Sequence, residues 1–240
     1  MKFFGKSFGK FFALQAIFVA FILSLLIIST VSAQDAVATN PDLYRVLLDN
    51  ERVRVLDQNV PAGRRENMHS HPAVVKYTLS SYRGTVSYLN GSATSMRRIN
   101  PGQVMWFEPE THSQKNSGRT NMHTIMFELK GAQIVQSEKQ QVSDDPLVTA
   151  AKFHKLLFEN DRVRVFMFRL KPKEETPAHY HRDGVVYILN GGTLSETLAD
   201  GKSHDVTLTT HDVKWMDAKT HKVKNTGTDE IRMLIVELKD

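Results

Sequence analysis

The sequence contains no cysteine. That absence excludes a disulfide framework, a thiolate nucleophile, a lipid-modified cysteine and any zinc site built on sulfur. A metal held by this chain must be held by nitrogen and oxygen. Helical periodicity is also missing: beyond residue 40, only a short stretch near 146–153 reads as helix. Charge of one sign is scarce as well. The 240 residues carry 31 Lys and Arg against 26 Asp and Glu, a formal +5. Lys2, Lys6 and Lys10 all fall in residues 1–33, and without them the balance is +2. No Lys/Arg block remains beyond them, so no footprint for nucleic acid or a membrane surface is expected.

One long apolar run is present. It extends from Phe11 to about Ile28, behind the three lysines and ahead of the small residues Val31-Ser32-Ala33. This order is the layout of a secretory signal peptide over residues 1–33, cleaved after Ala33. The competing reading is an uncleaved anchor helix, since the run approaches the ~20 residues that span a bilayer. The small-residue site and the polar QDAVATN stretch behind it favour cleavage. Under either reading the rest of the chain is exported, periplasmic or secreted, and a membrane enters only if the segment stays uncleaved.

The remainder is a repeat. LLDNERVRVLDQNVPAGRRENMHSHPAVVKYTL (47–79) matches LFENDRVRVFMFRLKPKEETPAHYHRDGVVYIL (157–189) at a displacement of 110 residues, and 104–118 matches 213–227 at 109. The boundaries that follow are one module over 41–130, a polar linker over 131–153 and a second module over 154–240. Each copy reads as short strands. The RVRV segments alternate, VVKYTL and VVYILN are β-branched and aromatic, and Asn90-Gly91 and Asp200-Gly201 are two-residue hairpin signals. Many short antiparallel strands with frequent turns imply an all-β sandwich, barrel or jelly roll, here in two tandem copies.

Six of the 10 histidines recur in register: His69, His71 and His112 in the first copy, His179, His181 and His221 in the second. Residues i and i+2 of a strand point to one face, so each H-x-H pair presents two imidazoles to the same side. A third imidazole from another strand completes a three-nitrogen face with open positions for water or substrate. A lone H-x-H pair is more often a surface accident. Two copies that have diverged around three retained histidines argue against accident.

With Gly63-x5-His69-x-His71 and Thr111-His112-x3-Asn116, echoed by His179-x-His181 and Thr220-His221-x3-Asn225, the chain resembles the cupin superfamily over nearly all of residues 41–240. The resemblance implies a bicupin: two jelly-roll barrels whose histidines hold a divalent transition metal, Fe, Mn, Ni, Cu or Zn. The family's first motif usually adds a glutamate three or four residues beyond the second histidine. Here those positions read Val74-Val75 and Gly184-Val185, so the centres resemble the glutamate-free three-histidine variant. Lys173 replaces the Gly63 equivalent, and Glu110 and Lys219 stand where the second motif usually has glycine.

Other residues receive blander readings. Trp106 and Trp215 read as core or rim packing, Tyr77 and Tyr187 as ordinary strand aromatics, and Asn116 and Asn225 as turn-fixing side chains. Glu128 and Glu237 interrupt apolar terminal strands. An outward-facing position is expected for them, with a hydrogen bond to a ligand histidine as the lesser alternative. His123, His154, His204 and His211 lack a matched histidine and read as surface or loop residues. Arg52, Arg54, Arg162 and Arg164 alternate with valines as on half-exposed strands.

Two functions remain open at this stage. The first is a metal-dependent oxidoreductase, dioxygenase-like, acting on a small organic molecule. The second is a non-catalytic cupin that captures a small ligand or metal, favoured by the lack of a repeated general acid or base. A zinc-type isomerase or hydrolase needs a positioned carboxylate base, and the missing glutamate counts against it. Tandem copies also imply barrel pairing within the chain and admit a homo-oligomer.

Overall fold

The computed structural model describes residues 34–96, 98–131 and 144–239. Residues 1–33, where a leader and its cleavage are expected, lie outside the described residues, as does linker segment 132–143. Among the described residues, no helix is long and apolar enough to cross a membrane.

Each copy opens on a single helical turn, α1 (Ala36–Thr39) or α2 (Pro146–Thr149), capped by Asp35 or Asp145. The first copy continues with β1 (Tyr44–Asp49), β2 (Val53–Val60), β3 (His69–His71), β4 (Val74–Thr78), β5 (Gly84–Tyr88), β6 (Ala93–Ser95), β7 (Val104–Phe107), β8 (Glu110–Asn116) and β9 (Met122–Leu129). Its strands pair antiparallel in two sheets, β1-β2-β9-β4-β7 and β3-β8-β5-β6. The second copy repeats this with β10 (His154–Glu159), β11 (Val163–Leu170), β12 (His179–His181), β13 (Gly184–Asn190), β14 (Gly192–Leu198), β15 (Ser203–Leu208), β16 (Val213–Met216), β17 (Lys219–Asn225) and β18 (Ile231–Leu238). Its sheets run β10-β11-β18-β13-β16 and β12-β17-β14-β15. The fold class is therefore all-β, two tandem jelly-roll barrels.

Local chemistry explains the turns. Gly91 and Gly201 take φ of 79° and 83° at the two hairpin tips, a left-handed backbone open to glycine at no steric cost. Asn116 donates its side-chain amide to the carbonyls of Val60 and Thr120 and accepts from the Gly118 N–H; Asn225 does the same with Leu170, Asp229 and Gly227.

The five-stranded sheets are buried on both faces. On β2, Val53 and Val55 join one apolar cluster with Val163 and Val165 of β11; Tyr77, Phe127, Tyr187 and Val236 belong to it too. Trp106 stacks on Phe158 at 6.4 Å, and Arg52 bonds Asp183 at 2.8 Å across the copies. The opposite face of each sheet lines its own barrel, with Leu56, Val60 and Met126 in the first copy and Phe166, Phe168 and Ile235 in the second. The alternation of Arg and Val in RVRV is therefore not solvent against core. The valines face the shared cluster while Arg54 and Arg164 turn into their own barrels, which corrects the half-exposed reading for these two: Arg164 is buried and Arg54 nearly so, whereas Arg52 and Arg162 are half-exposed as expected.

Candidate metal centres

In the first barrel, β3 aims His69 and His71 to one side, and antiparallel pairing sets His112 of β8 directly opposite His69. All three are buried, and one ring nitrogen from each falls within 4.8 Å of the others. Their Nδ1 atoms face outward from the cluster. That of His69 lies 2.7 Å from the Asn67 carbonyl and that of His71 2.5 Å from Glu128 Oε1, while that of His112 is 2.8 Å from Glu110 Oε1 without the geometry of a hydrogen bond. The Nε2 atoms turn inward: those of His69 and His71 are 2.9 Å apart, and that of His112 is buried without a hydrogen-bond partner.

The second barrel repeats the geometry with one addition. His179 and His221 are register partners on β12 and β17. Their Nδ1 atoms are held by the Pro177 carbonyl at 2.8 Å and by Glu196, while His181 Nδ1 lies 2.6 Å from Glu237 Oε1. His154, read as a surface or loop residue, is instead buried inside the barrel. Its ring sits 4.9 Å from that of His179 and 5.1 Å from that of His181. With His154, His179 and His181 the second barrel has its own set of ring nitrogens within 4.8 Å. The His221 ring lies 4.9 Å from that of His179 and 5.6 Å from that of His181, beside this set but not within its 4.8 Å spacing.

The carboxylates in the terminal strands also have a different place from the one expected. Glu128 and Glu237 point into their barrels, almost fully buried, and each holds a histidine of the cluster, His71 or His181. They are supported by the arginines of the RVRV segments. Arg54 bonds Glu128 at 2.6 Å and also pairs with Asp35, while Arg164 bonds Asp145 at 2.8 Å and lies 3.6 Å from Glu237. A chain thus runs from helix cap to arginine, carboxylate and imidazole in both copies. Such outer partners fix the tautomer and orientation of a metal-binding histidine.

Burial lowers the pKa of His69, His71, His154, His179 and His181. It holds His69 down to about 4, His179 and His181 to about 3, and His154 to about 2. Burial also pushes the Glu237 carboxyl up to about 7, against the pull of Arg164. At Glu196 burial is outweighed by hydrogen bonds from His221 and Lys219, which hold the carboxyl down at about 2. Neutral imidazoles with their Nδ1 protons committed outward and their Nε2 lone pairs turned inward are the donor set a borderline metal takes. The stranded Nε2 atoms of His112, His154 and His179 are the direct sign of fit, because a buried ring nitrogen with no partner is costly unless an ion takes it.

The surroundings of the two centres differ. The first barrel fills its interior with buried polar side chains: Gln58, Glu66, Lys76, Thr78, Gln114 and Thr124. The matched positions in the second are Phe168, Thr176, Val186, Ile188, Val223 and Met233. Beside His71 and His112 the free space is about 20 Å³. Beside His179, His181 and His221 it is about 200 Å³, walled mainly by Val186, Ile188, Leu194, Val206 and Trp215 with Glu196 and Lys219 among the polar groups. Tyr77 and Tyr187 lie in the shared cluster, away from both centres.

No family model matches the sequence, and no curated protein matches it. Solved structures do match. A variant of the Bacillus subtilis oxalate decarboxylase aligns with a TM-score of 0.58 at 13% identity, over 84% of this chain and 76% of that one. A Bacillus subtilis structure from work on the Mn(II) centres of the same enzyme gives 0.56 at 13%, over 82% and 75%. A formate complex of the Lactobacillus farciminis oxalate decarboxylase gives 0.55 at 12%, over 80% and 78%. At these identities the likeness is one of fold. This chain has the bicupin fold, two cupin barrels in tandem.

Proposed function

We propose that the protein is an exported bicupin that holds a divalent transition metal on the histidines of each barrel and acts as an oxidoreductase, dioxygenase-like, on a small organic molecule. The observation that carries this reading is the inward convergence of imidazole nitrogens, each steadied from behind by a carboxylate or a carbonyl. A bound transition ion supplies Lewis acidity and one-electron chemistry. The chain's own residues orient the imidazoles, exclude bulk water and, in the second barrel, leave an apolar cavity of about 200 Å³ that ends on the histidines. Export is supported by the leader's composition, and paired working of the two barrels by the shared apolar cluster.

A non-catalytic role has its own support in the first barrel, where about 20 Å³ of free space leaves no room for an organic substrate. The second barrel is therefore the proposed working centre. Elemental analysis of the full chain beside His69→Ala/His71→Ala and His179→Ala/His181→Ala variants is expected to show two metals lost one at a time. Oxygen uptake by iron-, manganese-, nickel- and copper-loaded protein with small enolic and phenolic compounds is expected to depend on the second site. Metal binding without turnover under any of these conditions would leave ligand capture as the function.

A further inference from the structure

The two centres differ at one matched position. Tyr44 opens β1, and 110 residues later His154 opens β10. The Tyr44 hydroxyl lies 3.1 Å from His69 Nε2, donates to Glu66 Oε1 at 2.7 Å and accepts from Gln58 Nε2 at 2.8 Å. The second barrel has neither partner, since Phe168 and Thr176 stand where Gln58 and Glu66 would be. We propose that His154 is a fourth nitrogen ligand in the second barrel, so that the chain carries two unlike centres: four imidazoles in one, and three imidazoles beside a phenol in the other. This rests on the reading that the barrels hold metal.

The geometry supports coordination over packing. His154 Nδ1 lies 3.1 Å from the Ala150 carbonyl, which fixes the proton on that side. The Nε2 atom is then a lone pair, and it is buried with no hydrogen-bond partner in the same group as the Nε2 of His179. The blander role is aromatic filling, because the ring also touches Phe166 and Phe168 at 6.0 and 5.0 Å. A phenylalanine would fill that space without stranding a nitrogen, and an unpartnered buried acceptor is destabilising. His154, His179, His181 and His221 share the arrangement in which Nδ1 is tied to an oxygen outside the cluster. A four-imidazole set suits copper, nickel, zinc or iron, whereas oxygen donors beside the first centre make it the harder site. One chain would then sort two ions.

Copper(II) is the probe, and the nitrogen couplings in its pulsed electron paramagnetic resonance spectrum are the readout. In full-length His69→Ala/His71→Ala protein, copper in the second barrel is expected to show four imidazole nitrogens. Adding His154→Phe is expected to reduce them to three and to weaken copper binding at least about tenfold. Near-ultraviolet circular dichroism checks that the apolar replacement keeps the fold. The reciprocal change, Tyr44→His in the His179→Ala/His181→Ala background, is expected to raise the first centre from three nitrogens to four, a gain that misfolding does not produce. An unchanged count in both substitutions overturns the assignment while leaving the metal reading intact. Copper in neither barrel of the wild-type chain overturns both.

Discussion

Glu128 and Glu237 sit at matched positions in matched strands, and each meets a histidine on one side and an arginine within 4 Å on the other. Replacing either by glutamine keeps the shape and removes the charge that orients the imidazole. Glu128→Gln is expected to weaken metal binding in the first barrel roughly 10–100-fold and leave the second unchanged, with Glu237→Gln the mirror image. Chelator competition on each variant measures this. The six register-matched histidines were legible because an H-x-H pair needs only strand period to share a face. His154 was not legible by matching, because its counterpart is Tyr44 rather than a histidine. The signal was present all the same, as both residues open a strand at the repeat's own displacement of 110. Glu196 was hidden for the same reason: its counterpart is Val86.

At the scale of elements, the misjudged residues share one cause. Alternation on a strand is read as core against solvent, and that holds only when one face is wet. β2, β9, β11 and β18 are covered on both faces, so the valines of RVRV face one apolar surface and Arg54 and Arg164 another interior. The same double burial made Glu128 and Glu237 look as if they must point outward. Turns were more readable, because their chemistry is local. Lys173 is the exception, with φ of 66° at the position where Gly63 has 79°. A left-handed non-glycine residue costs roughly 1–2 kcal/mol, and glycine's extra chain entropy offsets part of it. Lys173→Gly is therefore expected to stabilise the protein by up to about 1 kcal/mol, and Gly63→Lys to destabilise it, as read by chemical denaturation. In β15, Val206→Phe would fill the larger cavity from its wall. Metal content is expected to stay at two while turnover or ligand binding is lost, and activity unchanged by this substitution would place the substrate elsewhere.

Across the whole molecule, a single apolar cluster draws seven residues from each copy. Its loss is expected to be felt by both barrels together. Phe127→Ala, at a fully buried position, should cost roughly 3–5 kcal/mol and lower one common unfolding transition. Two separated transitions in the wild-type chain, followed by calorimetry, would contradict this. The two-barrel plan itself was legible from the repeat and its hairpin signals. The unequal interiors were not, because the residues that fill the first barrel, such as Lys76 and Gln114, are polar ones that a sequence reading assigns to the surface.

The helix cap in front of the first barrel bears on the proposed removal of the leader. Gln34 accepts a hydrogen bond from the Ser70 N–H, between the two histidines of β3, and Asp35 pairs with the arginine that steadies Glu128. On the proposal that the leader is removed after Ala33, the new chain end would be stitched from its first residue to the strand that carries His69 and His71. Accurate trimming would then be a condition of metallation. A cut two residues late would release a chain of nearly the same mass whose first centre has lost its anchor.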